Sequence, residues 1–169
     1  MKRHLILVGL SGSGKSTVGR LAAKQLRTRF SDIDELIVTG SGQPVVELFD
    51  REGEAQFRRL ERAAMDRVLA APPHVIAPGA GWIAEPGNLD AAGDALLIYL
   101  EISPAAAAAR LAGDATRPLL SGADPVTRLT GMLRTREPWY RKAALTIPAS
   151  GSPEAIAALV AEAARRLAT

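Results

Sequence analysis

The chain has 169 residues, of which 47% are hydrophobic and 23% are charged. This apolar fraction can form a core, which excludes general disorder, and the length fits one domain. The absence of cysteine and the presence of only two histidines exclude disulfide scaffolds and thiolate chemistry and argue against a multi-histidine zinc site. A net charge of +3 and 4% aromatic residues give little support to nucleic-acid binding.

Neither the N-terminal apolar run nor the longest uncharged segment is typical of an export signal or a membrane span. The apolar run after Met1 covers only Leu5–Leu10 and gives way to a glycine-rich stretch, so it is too short for a signal-peptide core. The segment 68–84 contains three prolines and two glycines, which exclude one membrane-spanning helix. We therefore expect a soluble cytoplasmic protein with no membrane partner.

Short apolar runs alternate with amphipathic segments along the chain, and they predict strands and helices in turn. The predicted strands are His4–Val8, Arg29–Ser31, His74–Ala77, Ala95–Leu100 and Ala144–Ile147. The predicted helices are Ser16–Arg27, Val45–Phe49, Glu54–Leu69, Pro104–Leu111, Pro125–Arg136 and Pro153–Leu167. This alternation favours an α/β domain with a parallel sheet, undivided over residues 1–169, whose ligands bind at the carboxyl ends of strands.

A phosphate-binding loop is the strongest motif. Residues 9–17 read G-L-S-G-S-G-K-S-T, which matches G-x-x-x-x-G-K-[ST] between a predicted strand and a predicted helix. Glycines at positive φ let N–H groups converge on phosphate oxygens, and the helix N-terminus adds its dipole. Lys15 can bridge the β- and γ-phosphates, and the Ser16 hydroxyl can ligate Mg²⁺. The alternative is a glycine-rich surface turn.

The rest of the chain narrows the class of nucleotide-binding protein. No Asn-Lys-x-Asp guanine motif is present, and Asp90-Ala91-Ala92-Gly93, which matches Asp-x-x-Gly, follows no predicted strand and is typical of a helix end. The chain is also too short for most motor ATPases. Small kinases remain.

Two carboxylates follow the second predicted strand. On an extended chain Asp32 and Asp34 point to the same side. One can hold Mg²⁺ through its waters, while the other accepts a proton from an attacking hydroxyl. A solvated acidic turn or a helix cap is the alternative.

Several arginines suit an anionic acceptor. Arg58 and Glu61 stand three apart on a predicted helix, so they can pair and fix the guanidinium for bidentate capture of a carboxylate. A solvent-facing salt-bridge helix is the alternative. Arg117 follows a flexible stretch suited to a lid, where it could neutralise charge on a phosphoryl group. Arg136, placed at a helix end before a proline, could make a second carboxylate contact.

Together these motifs resemble shikimate kinases over nearly the whole chain. The matching segments are Gly9–Thr17, Asp32-x-Asp34, Phe57-Arg58-x-x-Glu61, the turn at Gly79, Arg117–Leu120 and Arg136-x-Pro138-x-Tyr140. The resemblance implies a P-loop NTPase-like three-layer α/β fold, with a five-stranded parallel sheet, helices on both faces, a lid at about 112–124 and an acceptor-binding segment at about 32–61. It also implies transfer of the ATP γ-phosphate to the 3-hydroxyl of shikimate with Mg²⁺. We expect a monomer, with ATP or ADP and a small hydroxy acid as its ligands.

The resemblance also implies a role for each matching residue. Lys15, Asp34 and Arg117 would be catalytic, and Ser16 and Asp32 would serve Mg²⁺. The nucleotide would contact Gly12, Ser13, Gly14, Lys15, Ser16, Thr17, Arg117 and Arg110, the last at the position that stacks on adenine in the family. The acceptor would contact Asp34, Arg58, Gly79, Ala80, Gly81 and Arg136, with Glu61 bracing Arg58. For Arg110, an ordinary exposed helix arginine is the alternative.

One turn departs from the family pattern. Shikimate kinases have Gly-Gly-Gly and a small residue after the third strand, whereas this chain has Gly79-Ala80-Gly81-Trp82. The Ala80 methyl is costly if its φ is positive, and the Trp82 ring lies either in the core or beside the pocket. A ring in the pocket would favour another hydroxy acid as acceptor. A non-catalytic nucleotide-binding module is the third hypothesis, although binding alone needs fewer of these residues.

Overall fold

The computed structural model describes residues 1–112 and 124–167. The strands are β1 (Leu5–Val8), β2 (Phe30–Asp32), β3 (Val75–Ala77), β4 (Leu96–Glu101) and β5 (Leu145–Pro148). The helices are α1 (Lys15–Leu26), α2 (Ile33–Ser41), α3 (Val45–Leu69), α4 (Asn88–Ala91), α5 (Pro104–Leu111), α6 (Pro125–Tyr140) and α7 (Pro153–Leu167), with a 3₁₀ turn at Trp82–Ala84.

The five strands form one parallel sheet in the order β2-β3-β1-β4-β5. The first strand is central: Leu5 pairs with Val75 on one side and with Leu96 on the other. Because every strand runs the same way, the turns after β1, β2 and β3 meet at one edge of the sheet. The predicted α/β fold with a five-stranded parallel sheet is confirmed.

Helices cover both faces of the sheet, since alternate residues of β1 belong to two different cores. Leu5 and Leu7 pack with residues of α1, α5, α6 and α7. Ile6 and Val8 pack on the opposite face with residues of α2 and α3. All four of these side chains are buried, as expected for a strand that has helices on both sides.

The expectation that Asp32 and Asp34 share an extended chain is wrong. Asp32 ends β2 and is the N-cap of α2, where its Oδ1 accepts a hydrogen bond of 3.3 Å from the Glu35 N–H. Asp34 therefore lies in the first turn of a helix that the sequence analysis did not predict. The cap satisfies an N–H that would otherwise have no partner, which favours helix over continued strand.

Two other helices differ from prediction. The helix α6 runs through Pro138 to Tyr140, so Arg136 lies inside the last turns and not at the end. Pro138 lies in the last turn of α6 and has no N–H to donate to the preceding turn, so the helix ends two residues after it. The two segments predicted at Val45–Phe49 and Glu54–Leu69 are joined as α3, with a kink at Gly53, whose φ of 79° and ψ of 169° are non-helical.

No helix in the described part of the chain combines the length and the apolar character needed to cross a membrane. The segment 90–93 is a helix end, as predicted, because α4 ends at Ala91.

Arg117 and most of the predicted lid at 112–124 lie outside the described residues.

Candidate active site

The phosphate-binding loop has the backbone that its motif predicts. Gly12 and Gly14 have φ of 82° and 92°, in the left-handed region that other residues avoid. Gly14 is the N-cap of α1 and offers no side-chain hydrogen bond, so the first-turn N–H groups open onto a cleft. This cleft has a volume of about 230 Å³ and is lined by Gly12, Gly14, Lys15, Ser16, Thr17, Asp32, Asp34, Ala77, Pro78, Arg110 and Leu111.

Hydrogen bonds of three residues hold the loop and the rim of its cleft. The Lys15 Nζ donates to the carbonyl oxygens of Gly9 and Leu10 at 2.8 and 3.1 Å. Ser13 is fully buried, and its N–H donates to the Leu10 carbonyl at 3.1 Å. Arg110 donates through Nη2 to the Ala149 carbonyl at 2.5 Å, which holds this exposed arginine at the rim of the cleft.

A pair of oxygen ligands lies at the floor of the cleft. The Ser16 hydroxyl donates to Asp32 Oδ2 at 2.5 Å, while the other Asp32 oxygen caps α2. Among the described residues no group of three or more His, Cys, Asp and Glu side chains could hold a metal ion. A hydroxyl and one carboxylate still fit Mg²⁺, which keeps several waters and takes its remaining ligands from phosphates.

A second and larger cavity adjoins the cleft. It has a volume of about 830 Å³ and is lined by apolar residues of α2 and α3 together with Asp34, Arg58, Gly79, Ala80, Gly81 and Arg136. Ser16, Asp32 and Asp34 line both spaces. A group held in the cavity beside Asp34 would therefore face a group held by the phosphate-binding loop.

The two cavity arginines converge on one glycine. A Cβ built on Gly81 would come within 2.5 Å of Arg58 Nη2 and 3.2 Å of Arg136 Nη2. A Cβ on Gly79 would come within 2.4 Å of Glu61 Oε1 and 3.5 Å of Asp34 Oδ1. Neither φ is positive, so these glycines provide close approach. The turn after β3 thus brings the predicted acceptor residues together.

Carboxylates surround Arg58. Its Nη1 bonds to Glu61 at 2.6 Å, its Nη2 to Glu54 at 3.2 Å, and its Nε lies 3.5 Å from Glu85. Burial lowers the pKa of Arg58, but Glu61 and Glu54 outweigh it and leave that pKa raised. The sequence analysis missed both outer carboxylates. Glu54 could have been found from its (i, i+4) spacing, whereas nothing local points to Glu85.

Glu61 is the buried member of this group, with 1% of its surface exposed. Burial raises its pKa, and the charges of Asp34 and Glu85 add to this effect, while Arg58 opposes it. The carboxylate therefore depends on Arg58 for compensation in the protein interior. The pair fixes the guanidinium, as the (i, i+3) spacing predicted.

The turn that departs from the family pattern does not place the Trp82 ring beside the cavity. Trp82 is 1% exposed and packs in the core with Ile6, Val8 and Ile76, so its ring does not enter the cavity. Ala80 is unstrained, because Arg27 has the only positive φ among described residues other than glycine. The Ala80 carbonyl accepts a hydrogen bond of 2.6 Å from the Tyr140 hydroxyl, a contact that the sequence analysis did not predict.

The chain is similar to known proteins over most of its length. A family model described as shikimate kinase matches residues 11–165. A shikimate kinase of Paracidovorax citrulli is 40% identical and covers 95% of this chain and 90% of its own; one of Mycobacterium avium is 40% identical over 85% and 82%. The structure of the Acinetobacter baumannii shikimate kinase in complex with shikimate superposes with a TM-score of 0.93 at 30% identity, covering 97% and 93% of the two chains. The chain belongs to the shikimate kinase family.

Proposed function

We propose that this chain transfers the γ-phosphate of ATP to the 3-hydroxyl of shikimate. One observation carries the proposal: Asp34 lines both the cleft of the phosphate-binding loop and the cavity that holds two arginines. A hydroxyl beside Asp34 would thus stand between an anchored carboxylate and an anchored phosphate chain. Family membership at 40% identity to curated shikimate kinases supports the same acceptor.

The nucleotide end of the reaction belongs to the loop and to α1. The N–H groups of Gly12, Gly14 and the first turn of α1 would hold the phosphate oxygens. Lys15, which now lies across its own loop, would move to the β- and γ-phosphates. Arg110 would contact the adenine side from the rim. Arg117, outside the described residues, would close over the phosphates and neutralise charge.

Ser16 and Asp32 would hold Mg²⁺, in keeping with their adjacent oxygens. When bound, this ion would neutralise phosphate charge and help to orient the transferring group. The hydroxyl proton of Ser16 already has an acceptor in Asp32 Oδ2, which leaves the lone pairs of the Ser16 oxygen for a cation.

The acceptor end of the reaction belongs to Arg58, Arg136 and Asp34. The two guanidinium groups over Gly81 would bind the shikimate carboxylate, and Glu61 would brace Arg58. Asp34 would orient the 3-hydroxyl and accept its proton as the oxygen attacks the γ-phosphorus. The bond from that phosphorus to the bridging oxygen breaks, and ADP leaves. Catalysis then depends on position and charge, without a covalent intermediate.

The test is coupled ADP release from purified protein with ATP, Mg²⁺ and a panel of hydroxy acids that includes shikimate, quinate and gluconate. The proposal expects turnover with shikimate well above every other acid. Turnover on a different acid would mean that this acid, and not shikimate, is the acceptor. Tight ATP binding without turnover on any acid would favour a non-catalytic module. Action as a monomer in the cytoplasm is part of the same proposal, and light scattering checks the first point.

A further inference from the structure

The acceptor pocket is built from two distant pieces of the chain. The turn Gly79–Gly81 follows β3, whereas Arg136 comes from α6, more than fifty residues later. The two pieces must keep a fixed relation, because both guanidinium groups crowd Gly81: a Cβ there would come within 2.5 Å of Arg58 Nη2 and 3.2 Å of Arg136 Nη2. The packing of Tyr140 supplies a physical link between them.

Tyr140 belongs to α6 and contacts the turn after β3 through its hydroxyl. Its side chain is fully buried, and its hydroxyl donates to the Ala80 carbonyl at 2.6 Å. Burial raises the pKa of Tyr140, and the positive charge of the nearby Arg136 opposes this shift. Since Arg136 and Tyr140 stand four apart on α6, they share a helix face. The single proton of the hydroxyl is donated to Ala80, which leaves the oxygen lone pairs as acceptors for a neighbouring donor.

The ring of Tyr140 is held as firmly as its hydroxyl. It stacks on Tyr99 of β4, with ring centroids 5.1 Å apart and an angle of 23° between the planes. Tyr99 is itself 1% exposed, so the stack connects the sheet to α6. A ring fixed in this way places the hydroxyl at a constant point beneath the pocket.

We infer that Tyr140 is a positioning residue of the acceptor pocket, whose hydroxyl ties the Ala80 peptide to α6 and so holds the turn and the Arg136 guanidinium of that helix in the arrangement that receives the acceptor carboxylate. The inference rests on the proposed function. It adds a residue that touches no substrate but determines how two substrate-binding groups stand relative to each other.

The test is Tyr140→Phe, which removes the hydroxyl and keeps the stacked ring. The KM for shikimate should rise by about 3- to 30-fold, as expected when a buried carbonyl loses its partner and the turn is no longer tied to α6. The KM for ATP should stay within about twofold, because the phosphate cleft has no contact with this hydroxyl. A merely structural role would lower the melting temperature and the active fraction without separating the two KM values.

Tyr99→Phe is the matched control. It removes one hydroxyl from the same stacked pair, but the charged neighbours of Tyr99 are Glu101, Glu137 and Arg141, not Arg58 and Arg136. Both KM values should stay near those of the unmodified chain. A folded Tyr140→Phe enzyme whose KM for shikimate stays within twofold, or a control that raises it equally, would overturn the inference.

A second measurement does not depend on the folding of Tyr140→Phe. The chain has two tyrosines, so 3-fluorotyrosine labelling of Tyr99→Phe leaves one ¹⁹F resonance, that of Tyr140. Shikimate should shift this resonance, and saturation with no shift would contradict the inference.

If the unmodified chain uses a different acid, the proposed acceptor fails and the comparison of Tyr140→Phe is made on the KM of that acid, with the same two outcomes. If it turns over no acid, the proposed function and the inference both fail.

Discussion

Adding one methyl group at Gly81 should separate acceptor binding from folding. In Gly81→Ala the new Cβ would stand 2.5 Å from Arg58 Nη2 and 3.2 Å from Arg136 Nη2, whereas ordinary contact needs about 3.4 Å or more. Arg58 must therefore retreat by about 1 Å, and Arg136 by a few tenths. Both atoms are the ends of long side chains, so the backbone has little reason to move.

Misplacement by this amount should affect the acceptor strongly. Arg58 cannot swing freely, because its Nη1 is bonded to Glu61, which is 1% exposed. A displacement of about 1 Å in a substrate-positioning group can cost on the order of 100-fold, or about 2.7 kcal/mol. We expect kcat/KM for shikimate to fall by about that factor, while the KM for ATP changes little and the chain stays folded.

The control is Gly131→Ala, on the same helix as Arg136. Within residues 1–112 and 124–167, no atom beyond the neighbouring backbone of its own helix lies within 4 Å of a Cβ at that position, so alanine should keep the acceptor KM and leave stability equal or slightly higher. Steady-state kinetics and thermal unfolding of both variants give the comparison. If Gly81→Ala stayed folded and kept a normal acceptor KM, the convergence of the two arginines over Gly81 would not be the basis of acceptor binding.

Two further predictions concern the backbone of Ala80 and the protonation of His74, which directly precedes β3. Because Ala80 has an unstrained backbone, Ala80→Gly should destabilise the protein by about 0.4–1 kcal/mol through the freer unfolded chain; a gain of stability in chemical denaturation would mean that the alanine is strained. Burial is the main cause that lowers the pKa of His74, which is bonded to Pro72 and Ser31. The unfolded chain therefore takes up a proton first as the pH falls below about 6.5. The melting temperature should drop between pH 7.5 and 5 by more than it does in His74→Gln, and equal losses would contradict the assignment.

The sequence predicted best what is decided locally. The phosphate-binding loop needs only its glycines, one lysine and the neighbouring strand and helix, so it was predicted in full. The helix α2 was missed although its signal was present: Asp32 followed three residues later by Glu35 is a capping-box pattern. The side-chain alternation of a strand was applied to Asp32 and Asp34, although Asp32 can equally cap a helix that begins at the next residue.

The contacts between distant segments could not be read from spacing. Glu85 approaches Arg58 from a different part of the chain, and no periodicity relates the two. The Tyr140 hydroxyl and the Ala80 carbonyl are sixty residues apart. The position of Trp82 depended on whether the core had room for its ring, which only packing decides. The shared acceptor site of Arg58 and Arg136 was implied by the resemblance to a family, because no spacing in the sequence relates the two residues.

Recognition of the acceptor carboxylate is the central claim, and a substrate comparison tests it most directly. The value of kcat/KM would be measured for shikimate and for its methyl ester with the unmodified chain, Arg58→Ala and Arg136→Ala. The unmodified chain should prefer the acid by at least about 30-fold, or about 2 kcal/mol, and each arginine variant should lose most of that preference. Equal use of acid and ester by the unmodified chain, or a full preference kept by both variants, would contradict it.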